Sequence, residues 1–105
     1  MKFELLVRHA MTNSLEKVVK QTVRQHLDGA TIDTITVQPD EDSDGDPVLR
    51  ITVVISSDMG AIDPRRLTSM GRIMRPKLED LGEPGFPIFR FISKRDYKRL
   101  KHEAA

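Results

Sequence analysis

The stretch Pro39-Asp40-Glu41-Asp42-Ser43-Asp44-Gly45-Asp46-Pro47 holds the densest set of metal-ligand side chains in this 105-residue chain. Asp40, Asp42, Asp44 and Gly45 reproduce the D-x-D-x-D-G opening of a calcium loop. In such a loop, carboxylates at alternate positions converge on a hard cation and the glycine permits the sharp turn. The rest of the pattern does not follow. The twelfth position, where a bidentate Glu belongs, is Ile51, the eighth is Pro47, and the flanking residues pattern as strands. The stretch therefore reads as an acidic hairpin loop. Asp40, Asp42 and Asp44 are the ligands a calcium ion would use, but no metal site is assigned to them.

Nucleophilic and acid–base chemistry find less support. The chain has no cysteine, which excludes disulfides, zinc-thiolate sites and Cys nucleophiles. His9, His26 and His102 fall on different elements without metal-ligand spacing, and they read as surface or helix-flank residues. Ser56, Ser57 and Asp58 lack the G-x-S-x-G surroundings of a nucleophile elbow and read as the start of a loop. Gly82-Glu83-Pro84-Gly85 has the form G-x-x-G, but it follows a helix and carries an acid that repels phosphate, so it reads as a turn. The expectation is a non-enzymatic chain that requires no cofactor.

Charge offers a different chemistry. The net charge of +1 conceals two unlike halves. Residues 1–62 carry six Lys/Arg against ten Asp/Glu, whereas residues 63–101 carry eleven against five. A basic half suggests an anionic partner. Arg65, Arg66, Arg72, Arg75 and Lys77 crowd one helical segment, and Lys94, Arg95, Lys98, Arg99 and Lys101 crowd another. Together they could form a phosphate-binding surface. The competing reading is two ordinary solvated helix faces, since aromatic interleaving is lacking apart from the single Tyr97.

These residues must be positioned by a small fold. The apolar fraction of 38% supplies one modest core, so residues 1–105 read as a single domain. No run approaches the roughly 18 apolar residues of a membrane span. The apolar run in MKFELLVRHA is too short for a signal peptide and contains Glu4, Arg8 and His9, which makes a cytoplasmic location the expectation.

Asn13-Ser14-Leu15-Glu16 has the pattern of a helix start, and Leu15, Val18, Val19, Val23 and Leu27 continue as one stripe. Phe3, Leu6, Val7, Ala10 and Met11 keep the same period, so one helix could run from 2 to 27. A break at Thr12–Ser14 or a short leading strand are the alternatives, and residues 1–12 read as a helix extension or an appendage. Residues 31–38 and 48–56 are β-branched, alternate in polarity and are joined by the acidic loop, which predicts an antiparallel hairpin.

Asp63-Pro64 predicts a helix start, and Leu67, Met70, Met74, Leu78 and Leu81 a buried stripe ended by Gly82. Pro76 lies inside that stripe and predicts a kink near Arg75. FPIFRFIS, residues 86–93, is apolar on both faces and predicts a strand in the middle of the sheet or under helices. Ser93-Lys94-Arg95-Asp96 then converts the strand directly into a basic C-terminal helix and tail, 94–105, with Tyr97 and Leu100 turned to the core.

The expected fold is α+β, a two-layer sandwich in the order α-β-β-α(kinked)-β-α. Its three-stranded sheet is covered by helices on one face, and the third strand lies beside the first, parallel to the second.

This order of elements resembles that of type II KH-like domains, in particular ribosome-binding factor A, over residues 13 to 93. In that family an Ala-x-Gly kink between two helices replaces the Gly-x-x-Gly loop, and a Pro-x-Leu-x-Phe strand follows. Ser69-Met70-Gly71 stands in the place of Ala-x-Gly, and Pro87-Ile88-Phe89-Arg90-Phe91 resembles the strand motif. The resemblance implies contact with RNA or the ribosome near Gly71, with Arg72 and Arg75 on phosphates. The alternative class is a protein-interaction module, either a homo-oligomer or the neutralising partner of another small protein, with Phe86–Ile92 or Phe3–Met11 as its apolar patch.

Overall fold

A computed structural model describes residues 2–104, with side chains described for 14–102. Helix α1 spans Lys2–His26, strands β1 and β2 span Ile32–Glu41 and Pro47–Ile55, and a 3-10 turn occupies Met59–Ala61. Helices α2 (Pro64–Thr68) and α3 (Met70–Asp80), strand β3 (Phe86–Ser93) and helix α4 (Lys94–Ala104) complete the chain. The architecture is α+β in the expected order. α1 passes through Asn13–Glu16 without a break, so the capping pattern there does not begin a helix. The proposed apolar patch Phe3–Met11 falls outside the described side chains.

β1 and β2 pair as an antiparallel hairpin, Ile35 opposite Val53 and Val37 opposite Ile51. β3 pairs with β2 in parallel, Phe89 opposite Ile51 and Phe91 opposite Val53, giving the sheet order β1-β2-β3. The third strand therefore lies beside the second, not the first. The central strand is β2, whose Leu49, Ile51, Val53 and Ile55 are essentially sealed on one face while Val48 and Val54 are buried on the other. β3 is an edge strand. Its Pro87 and Ile92 are buried, but Phe86 is 55% and Ile88 38% exposed. A crossover most often returns the chain next to the strand it left. The free edge of β2 is also the more apolar partner, because β1 carries Asp33, Asp40 and Glu41.

α1 and α3 cover the first face of the sheet. α1 contributes Leu15, Val19 and Val23 from one helical stripe, Leu27 follows directly after its end, and α3 contributes Met70, Met74 and Leu78. These residues pack on Ile35 and the inward side chains of β2, flanked by Phe89 and Phe91, whose rings stack 5.7 Å apart. Burying one such aliphatic side chain stabilises the fold by roughly 1.5–3 kcal/mol. α4 leaves the end of β3 without a loop and lies over part of the second face. Asp96 N–H donates to Ser93 Oγ at 3.1 Å, which is the predicted cap. Tyr97 and Leu100 accordingly border Thr52 and Ile92 on that face and do not enter the main core.

The interruption in the second helical segment lies at Ser69, six residues before the predicted kink. α3 runs through Pro76 as regular helix. The proline leaves only the carbonyl of Arg72 unpaired, and both residues are exposed, so water can satisfy it. Gly82 ends the segment at φ +73°, a conformation that suits glycine.

Candidate nucleic-acid interface

Asp63 starts α2 by accepting the Arg65 N–H at 2.9 Å, with Pro64 in the first helical turn. The helix lasts five residues and stops at Ser69, which also precedes α3. Ser69 itself stays in the helical region, at φ −82° and ψ −8°, so α2 leads into α3 through a one-residue break, and the Ser69 side chain caps none of the α3 N–H groups. The α2–α3 break thus carries no side-chain cap and no acid in the first turn of α3, where Gly71 and Arg72 follow.

The Ser69 hydroxyl is engaged elsewhere. It lies 2.8 Å from Nε2 of His26 at the end of α1, and it donates to the Arg66 carbonyl at 3.3 Å. A hydroxyl has a single proton, so with that proton on Arg66 the imidazole Nε2–H donates to Ser69 Oγ. A serine nucleophile needs the reverse arrangement, with the imidazole as acceptor and a third group orienting it. Among the described residues no carboxylate bonds to the other ring nitrogen of His26. The pair acts as a latch between α1 and the helix break. Reading the chain residue by residue missed it, because His26 and Ser69 are 43 positions apart and nothing local signals their meeting.

Gly71 occupies the second position of α3. A Cβ built there would meet nothing within 4 Å, and its φ is not in the left-handed region. Neither packing nor backbone geometry within the chain calls for glycine here. Arg72 is exposed and has no ion-pair partner among the described residues. The Arg75 guanidinium lies 5.3 Å from the centre of the Phe86 ring, a contact that orients it without neutralising its charge. Arg65 is 3.5 Å from Asp63, yet its side chain is 92% exposed. Arg66 donates to the Asp28 carbonyl at 3.5 Å.

The second basic group is placed elsewhere. Lys94 pairs with Asp33 at 3.3 Å and Arg99 with Asp96 at 3.5 Å, while Arg95 and Lys98 are exposed. α4 lies over the second face of the sheet and α2–α3 over the first, so the two groups do not form the one continuous surface that charge alone suggested.

The acidic loop also differs from its expected ligand set. Asp40 is held by Arg50, whose Nε donates at 2.7 Å. That hydrogen bond, joined by the Glu41 N–H, holds the Asp40 carboxyl below its ordinary value. The carboxylates that approach one another are those of Asp42, Asp44 and Asp46, all exposed. One Asp42 oxygen already accepts the N–H groups of Asp44 and Asp46 at 2.9 Å each. The loop is thus organised by its own turn. Ser57 and Asp58 likewise have structural partners, the N–H groups of Thr31 and Gly60.

Among the described residues no helix is long and apolar enough to cross a membrane. No family model, curated protein or solved structure matches the chain.

Proposed function

We propose that this chain is a small cytoplasmic, non-enzymatic RNA-binding module whose phosphate contacts centre on the α2–α3 break. The observation that carries this reading is the α2–α3 break, where Gly71 leaves open space and Arg72 and Arg75 stand exposed. Glycine in a helix costs about 1 kcal/mol relative to alanine. A position that bears this cost with no internal reason suits the close approach of a ligand backbone. The break also coincides with Ser69-Met70-Gly71, the tripeptide that stands where ribosome-binding factor A has Ala-x-Gly, so association with the ribosome is part of the proposal.

Fluorescence anisotropy with a labelled single-stranded RNA tests it. Arg72→Glu with Arg75→Glu is expected to abolish retention while the circular dichroism spectrum stays native. Unchanged retention in that variant would overturn the reading.

A second reading, a protein-interaction module or homo-oligomer, draws on the edge strand. β3 leaves one side of its backbone unpaired and exposes Phe86 and Ile88, the kind of edge that pairs with another chain. Copurification with one stoichiometric protein and no nucleic acid, judged by the 260/280 nm absorbance ratio, would favour it.

A further inference from the structure

The second face of the sheet contains a cleft that the α2–α3 site does not use. Thr36 pairs with Thr52 across β1–β2, and Thr52 with Arg90 across β2–β3. With strands about 4.8 Å apart, these three side chains form a row straight across the face. α4 folds over one side of the row. Its Tyr97, Leu100 and Lys101, spaced i, i+3 and i+4, share one helical face and border the same cleft of about 360 Å³. Ile92, 8% exposed, extends the apolar wall.

The lining has two cations, three hydroxyls (Thr36, Thr52 and the Tyr97 phenol) and an amide, and no carboxylate. Three carboxylates on the adjoining elements are engaged: Asp33 with Lys94, Asp40 with Arg50 and Asp96 with Arg99. Among the described residues neither Arg90 nor Lys101 has an acidic partner. Arg90 is also the one charged residue of β3. Lys101 Nζ lies over one face of the half-buried Tyr97 ring, 5.0 Å from its centre, so the cation and the aromatic ring are held together at the cleft wall. An oxyanion is the natural partner of the guanidinium and ammonium groups, and a planar apolar group that of the tyrosine wall.

We propose that this cleft binds a nucleotide, with its phosphate between Arg90 and Lys101, its polar edges on Thr36 and Thr52, and its base against Tyr97. The nucleotide is either a free mononucleotide or one residue of an RNA chain, and only the second case rests on the RNA-binding reading above.

The test is an NMR titration of the ¹⁵N-labelled full chain with adenosine 5′-monophosphate, inorganic phosphate and single-stranded oligo(A). Saturable shifts at the amides of Thr36, Thr52, Arg90 and Tyr97 are expected with the mononucleotide or, if the seat takes only a chain residue, with oligo(A) alone. Arg90→Gln should weaken this binding about tenfold, the loss of one charge-assisted hydrogen bond. Arg72→Glu with Arg75→Glu should leave the mononucleotide response in place, which separates this cleft from the α3 site. An equal response to inorganic phosphate, shifts confined to α2 and α3, or undiminished affinity in folded Arg90→Gln would overturn the proposal.

Discussion

His26 Nε2 and Ser69 Oγ lie 2.8 Å apart and join the end of the first helix to the point where the second helical segment is interrupted. The bond ties the α2–α3 break to α1, and so fixes the turn that carries Gly71 and Arg72 against the rest of the fold.

Removing either partner should loosen the latch. Ser69→Ala and His26→Ala are each expected to lower stability by about 1 kcal/mol, the worth of one part-buried hydrogen bond, or about 5 °C in Tm for a domain this size. Because the bond is shared, the double variant should lose less than the sum of the two. Fully additive losses in urea unfolding would show that the pair does not interact as described.

Met74 is sealed between α1 and the sheet, whereas Phe86 is 55% exposed at the sheet edge. Met74→Ala should cost about 2–5 kcal/mol through lost burial and the cavity left behind. Phe86→Ala should cost less than about 1.5 kcal/mol, although phenylalanine is the larger side chain. Equal midpoints in denaturant would contradict this division between core and edge.

Much of this arrangement was legible in the residues themselves. The stripe Leu67, Met70, Met74, Leu78, the alternation of 48–56 and the Asp63-Pro64 and Ser93–Asp96 caps each encode a local preference that the fold keeps. What could not be read was tertiary. FPIFRFIS is apolar enough for a central strand, but β2 takes the centre because it pairs on both edges. The break sits at Ser69 and not near Pro76, since an exposed proline can be tolerated in a helix whose freed carbonyl faces water. The separation of the two basic groups follows from α4 crossing to the second face, which charge patterning cannot express.

Asp40 supplies a test by pH. The Arg50 hydrogen bond, with help from the Glu41 N–H, holds its carboxyl below the ordinary value of 3.8. A depressed folded pKa means the contribution to stability is present above pH 3.8 and is lost as pH falls through the lowered value. Arg50→Gln should move the Asp40 midpoint up towards 3.8 in a carboxyl ¹³C titration. A midpoint unchanged by the substitution would remove Arg50 as the cause.

At Gly71 stability and binding should part. Gly71→Ala adds a methyl group into open space within a helix and is expected to stabilise the fold by up to about 1 kcal/mol. The same methyl group stands where an RNA backbone is proposed to approach, so RNA affinity should fall as Tm rises. A variant that is more stable and binds RNA as well as the parent would assign the glycine no part in recognition.

The salt dependence of RNA affinity tests the α3 site most directly. For a single strand, the logarithm of the binding constant falls with the logarithm of salt concentration by about 0.7 per phosphate neutralised. If Arg72 and Arg75 each neutralise one phosphate, Arg72→Gln with Arg75→Gln should make the slope shallower by about 1.4 while the protein stays folded. A slope identical to that of the parent chain would contradict the assignment of these arginines to RNA.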